Sequence, residues 1–326
     1  MPKLSLPLVL AATLIFALPI APAQAQNNRS WVANFGSDGN LCTEASPCAT
    51  FGRALMQTNA TGEINCLTQG DFGGGGFEIT QSVTIDCEGV QARVVDPSPA
   101  GTAITIIAST SDVVVLRGLD ISGNGVDGTG ISVGEAAAVH IEKCAIHDFG
   151  FGWGIVSGPI SIAHLELFVS DSVIENNGST GDGGGILVEL AQPDTITKLL
   201  LNRVEVRNNF FGIKADGTKT TGGVINMTVR DSVSAGNKAN GIVGTGTASG
   251  PAILMMVDHS TSSHNAAGFG VIADGPKTEI LLTNSTVSGN INGLGASNGG
   301  ALISYQNNNV ALNSTDGNPT GVRSFK

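Results

Sequence analysis

The sequence predicts an all-β fold, a single-stranded parallel β-helix (solenoid), on three observations. From about residue 113 to 313 one pattern recurs: an apolar strand, a polar bend, a short alternating strand, an Asn, then Gly and another apolar strand. The period of 25 to 32 residues is too short and too glycine-rich for paired helices, but it suits one turn made of three short strands. Within each short strand, apolar and polar residues alternate with the period of two that marks a strand with one buried face.

The clearest copies span 282–290, 257–265, 229–237 and 169–177. Residues 201–209 fit the same frame; 116–124 and 141–149 are weaker copies, the second lacking the Asn. Alternation turns Leu119/Ile121, Cys144/Ile146 and Val204/Val206 inward, and Asp120, His147, Glu205 and Arg207 outward. The strand after each bend is rich in Val and Ile, as in 130–133 and 185–188. The repeated Asn tolerates a left-handed backbone and bonds neighbouring peptide groups. Stacked once per coil, Asn124, Asn177, Asn209, Asn237, Asn265 and Asn290 would form an internal ladder in which each amide is satisfied by the coils above and below. About eight coils are expected.

Residues 1–25 read as a cleaved secretory signal: Lys3, an apolar run over 4–20, and Ala23-Gln24-Ala25 as the cleavage site before Gln26. Pro7, Pro19 and Pro22 argue against a retained membrane anchor. A secreted, periplasmic or extracellular protein with no membrane span after cleavage is therefore expected. Cleavage removes Lys3 and takes the formal charge from -11 to -12, and an acidic chain with 16 Lys and Arg is a poor match for nucleic acid. Cys42, Cys48, Cys66 and Cys87 fall within residues 26–100, read as the N-terminal cap and first coils. Export permits disulfides, and four cysteines allow three pairings. Cys42–Cys48 and Cys66–Cys87 are favoured because each closes a local loop, and Cys144 reads as a buried apolar residue. Residues 101–313 carry the repeats, Asn307–Asn309 are placed to close the last coil, and 314–326 read as a flexible tail.

These coils resemble the right-handed parallel β-helix repeats of the pectin lyase-like superfamily. The segments 31–40, 47–51, 54–55 and 62–65 are similar to the N-terminal region of many secreted β-helix proteins. That resemblance implies a small helical cap over the first coil. Phe51 and Leu55, spaced i, i+4, fit one face of such a helix. A cap is needed because an uncovered coil exposes strand edges and core. The superfamily spans lyases, hydrolases, esterases, adhesins and inert scaffolds, so the fold alone leaves function open.

Equivalent positions of successive coils stack about 4.8 Å apart. His147, Glu175 and Arg207 should therefore form a vertical file, with Glu205 beside Arg207 and Asp148 beside His147. This file is the catalytic candidate: hydrolysis of a glycosidic bond uses two carboxyls, and lyase chemistry uses a base and a cation beside the uronate. The alternative is a solvated ion-pair cluster. Phe149, Phe151 and Trp153 either stack a sugar ring, with Phe151 and Trp153 as the substrate-binding candidates, or cover a bend where the ladder Asn is missing. Phe210 and Phe211 should pack at a corner. The motifs expected of polygalacturonases (Asn-x-Asp, Asp-Asp, Gly-His-Gly and Arg-x-Lys) are absent from the repeats. Asp171, Asp182 and Asp216 are scattered, and His259 and His264 with Asp258 lack a further ligand. No cofactor or metal is expected, with calcium left open. The leading expectation is thus a secreted monomer that contacts polysaccharide or another macromolecule without a catalytic signature. A polysaccharide lyase or glycoside hydrolase, and an inert spacer, are the alternatives.

Overall fold

The computed structural model describes residues 26–95, 100–161, 164–179, 181 and 183–324. The signal segment and Asp182 lie outside the described residues. The chain winds as a right-handed parallel β-helix of about nine turns, one more than the repeat count suggests, with a single short helix. Three parallel sheets form the walls: sheet 1 has twelve strands, sheet 2 ten and sheet 3 nine. One coil shows the plan: Ile196–Asn202 lies in sheet 1, Glu205–Arg207 in sheet 2 and Phe211–Gly217 in sheet 3, and Val224–Arg230 opens the next coil.

Register is strict, so like side chains stack on like. In sheet 1, Leu116, Ile141, Val169, Leu201, Val229 and Val257 sit over one another, all buried. A parallel sheet is stable only when its apolar face is covered, and here each sheet covers the other two.

The asparagine ladder sits at the bend between sheets 2 and 3. Asn177 Nδ2 donates to Asn209 Oδ1 at 3.0 Å, and the same step repeats from Asn209 to Asn237, Asn237 to Asn265 and Asn265 to Asn290. It continues through Asn313, which sequence reading missed, and ends on Asp316. Asn124 does not take part, which corrects the expectation. It is exposed with φ 53°, and the residue below it in the next coil is Phe149, which offers no side-chain acceptor. Phe149 is buried and takes the place of an Asn at the head of the ladder, its backbone N–H donating to Asn177 Oδ1. The reason given for the Asn also changes: the left-handed residue is the one before it, as at Asn176, Asn208 and Gly236. A second ladder lies at the bend between sheets 1 and 2, where Ser172, Ser232, Ser260 and Ser285 accept backbone N–H groups from the preceding coil. Asn308 continues it.

The helix Phe51–Gln57 closes the N-terminal end. Thr50 caps it by accepting from the Arg53 N–H, and Asp38 accepts the N–H groups of Ala49 and Thr50. Phe51 packs edge-on against Phe72. Disulfides join Cys42 to Cys48 and Cys66 to Cys87. Cys144 is buried, and burial pushes its thiol up to about 11. At the other end, Gly321–Val322 pairs with Ala301–Ser304, so the tail from residue 314 lies against the last coil. Among the described residues no helix is long and apolar enough to cross a membrane.

Candidate functional site

Sheet 2 strands are two to four residues long, so each presents one or two side chains outward and the outer face reads as two vertical rows. One row runs Ser122, His147, Glu175, Arg207; the other runs Asp71, Arg93, Asp120, Ala145, Val173, Glu205. The expected file of His147, Glu175 and Arg207 is thus in register on adjacent strands. Its side chains nevertheless divide into two clusters. Arg207 bonds Glu175 at 2.9 Å and reaches Glu205 at 3.6 Å. These groups are a third to a half exposed, an ion-pair setting that contributes little to stability.

His147 turns away from Glu175 and is clamped between two carboxylates. Its Nε2 lies 2.7 Å from Asp120 and its Nδ1 2.8 Å from Asp148. The bond to Asp120, reinforced by Asp148, lifts the imidazole to about 9 against the opposing effect of burial. The same bond lowers Asp120, whose other oxygen faces Arg93 at 3.5 Å. At neutral pH His147 is an imidazolium with both N–H groups engaged, so it has no lone pair with which to accept a proton.

The consequence for pH follows from the direction of the shift. A folded pKa raised above the unfolded value of about 6.5 stabilises the protein fully below that pH, and the stabilisation is lost as pH rises through about 9. The clamp should contribute about 2–3 kcal/mol. Urea unfolding at pH 6 and pH 10 should show wild type losing that much more stability than His147→Gln. Equal losses in the two proteins would rule the clamp out.

Beside this cluster, towards the cap, lies a cleft of about 520 Å³ lined by Asn34, Gln69, Asp71, Gln91, Arg93 and Asp120. Sequence reading missed it because Asn34 and Gln69 come from the irregular N-terminal segment, where no repeat sets the register. Asp71 is held in place by accepting the N–H groups of Gly73 and Val95. Amides, carboxylates and a guanidinium side by side offer paired donors and acceptors for vicinal hydroxyl groups. Among the described residues no three His, Cys, Asp or Glu side chains gather as metal ligands. Asp171 pairs with Arg203, Asp216 with Lys214 and His259 with Asp258.

The aromatic candidates do not converge on His147. Phe149 is in the core, Phe151 is 54% exposed, and Trp153 belongs to sheet 3. There it stacks on Phe211, with ring centroids 6.2 Å apart and planes within 6°. Phe211 also meets Phe210 edge-on.

No family model matches the chain, and neither does any curated protein. Solved structures do match its fold. The pectate lyase Pel9A superposes with a TM-score of 0.52 at 13% identity, over 90% of this chain and 80% of that one. XylC in complex with xylose gives a TM-score of 0.52 at 10% identity, over 82% of this chain and 69% of that one. The fold is that of the pectin lyase-like β-helices. At such identities the pectin lyase-like likeness extends to the coil architecture and carries no residue roles, so the chemistry rests on the side chains described above.

Proposed function

We propose that this pectin lyase-like β-helix is exported and, as a monomer, holds a hydroxyl-rich polysaccharide against its outer surface without cutting it. The observation that carries this reading is the cleft between the cap and sheet 2, where Asn34, Gln69, Asp71, Gln91, Arg93 and Asp120 converge. Such a surface suits an uncharged, hydroxyl-bearing chain because its carboxylates and cation nearly balance. The clamped His147, with both ring nitrogens engaged, and the pairing of Glu175 with Arg207 favour holding over cleavage. The two disulfides suit the oxidising compartment that the signal segment implies.

Residues 26–326 should be incubated with a panel of neutral and acidic polysaccharides and followed by calorimetry and by mass spectrometry of the chains. Binding without shortening is expected, weakened at least tenfold in Asp71→Ala and in Arg93→Ala. Chain shortening would replace this reading with a catalytic one. Absence of binding to every polysaccharide would leave the spacer.

A further inference from the structure

The outer face of sheet 3 carries a feature that the cleft does not explain. Leu187, Lys214, Val243 and Ile272 are stacked in register and point away from the core. An outward apolar side chain on a solenoid normally meets solvent, yet Leu187, Val243 and Ile272 are only 9%, 5% and 9% exposed. They are shielded because they form the floor of a trough. One wall is aromatic: Trp153, Phe211 and Phe269 occupy equivalent places in every second coil, with Gly184 and Asn240 between them. Gly184 is required there, since a Cβ would meet Trp153 Cζ3 at 2.7 Å and the Phe211 carbonyl oxygen at 2.5 Å. The other wall is polar: Glu189, Asp216, Thr245, Asp274 and Ser297 stack in register. Asp274 is fixed by donors from Thr245, Ser297 and Asn298, and Lys214 bridges the walls, pairing with Asp216 at 2.9 Å and lying 5.3 Å from the Phe211 ring centroid. Between the walls a cavity of about 190 Å³ opens, lined by Phe211, Lys214, Asn240, Val243, Thr245 and Asp274 among others.

An aromatic wall, an apolar floor and a wall of fixed acceptors match a molecule that has C–H faces and hydroxyl edges. The carboxylates fix its charge. Glu189, Asp216 and Asp274 outnumber Lys214, which Asp216 already neutralises, and Lys219, whose charge acts on Glu189, so an anionic sugar would be disfavoured. Trp153 leans over Gly184 onto Phe211, bringing the ring centroids to 6.2 Å, so the two rings form one continuous apolar wall. We infer that the sheet 3 trough is a second glycan site, which seats an uncharged saccharide with its C–H faces along the aromatic wall of Trp153 and Phe211 and its hydroxyls on Thr245 and Asp274. It shares only a ligand class with the cleft, and either site can fail without the other.

Trp153 reports on the trough directly. In a Trp31→Phe background it is the sole tryptophan. Titration with cellohexaose, xylohexaose and mannohexaose should shift its fluorescence saturably with at least one of them, and hexagalacturonate should give no shift. Phe211→Ala should weaken that binding at least tenfold. The double variant Thr245→Val/Asp274→Asn, which leaves the aromatic wall intact, should do the same, while the cleft variant Asp71→Ala should leave the shift unchanged. Absence of a shift with all three neutral chains, or equal binding of hexagalacturonate, overturns the inference. So does retention of affinity in the double variant.

Discussion

Replacing Gly212 by alanine should destabilise the solenoid by about 3 kcal/mol, at the upper end of what overpacking costs. A Cβ at this position would stand 2.3 Å from the Gly241 carbonyl oxygen, 2.3 Å from Ser234 Oγ and 2.9 Å from Asn237 Nδ2. The first is backbone of the next coil, held by the parallel ladder, so it cannot yield without opening the coil spacing. Gly185, Gly241 and Gly270 stand in the same column against the same kinds of neighbour, which explains why Gly follows the Asn in repeat after repeat. Gly39→Ala is the control, since its Cβ would meet nothing nearer than 3.7 Å. Urea midpoints should separate the two variants widely. Equal midpoints would mean that the column relaxes and that its glycines are not sterically required.

Asn237→Ala should cost a similar amount, about 3 kcal/mol, for a different reason. Asn237 Oδ1 accepts both the backbone N–H and the side-chain amide of Asn209, and its Nδ2 donates to Asn265 Oδ1 and Ser234 Oγ. Truncation strands a buried backbone N–H, and buried donors left unpaired cost about 1–3 kcal/mol each. Asn209 Nδ2 keeps its bond to the Ile174 carbonyl, which limits the loss. Asn124→Ala, at a ladder position by sequence but exposed in the structure, should change stability by less than about 0.5 kcal/mol. Chemical denaturation distinguishes the two, and amide exchange at Asn209 should accelerate in Asn237→Ala alone. A large loss in Asn124→Ala would show that the ladder begins a coil earlier.

The coil architecture was legible because a solenoid writes its register into the chain. One inward pair per short strand and one Asn per bend are enough to align successive turns, and both disulfide pairings followed from loop closure. What escaped notice lay where the period breaks. Asn313 comes 23 residues after Asn290, shorter than any repeat spacing seen upstream, so it did not read as a rung. The site was harder. Sequence can place His147, Glu175 and Arg207 in one file, but it cannot show that the imidazole leans across to the neighbouring row and takes Asp120. Nor can it show Trp153 reaching over Gly184 to a ring two coils away, because that contact depends on side-chain direction rather than on register.

Every Oδ1 of the asparagine ladder faces the N-terminal end and one N–H of each Nδ2 donates towards the C-terminal end, while Asn177, Asn209, Asn290 and Asn313 also donate back to a carbonyl of the preceding coil. Six amide dipoles in line, from Asn177 to Asn313, therefore add rather than cancel, as peptide dipoles do along a helix. Their positive pole emerges at Asn313, where the acceptor is the Asp316 carboxylate. The interior thus carries a built-in polarity with a counter-charge at one end, and Asp316, an acceptor with no amide to pass on, is a natural terminator for the stack.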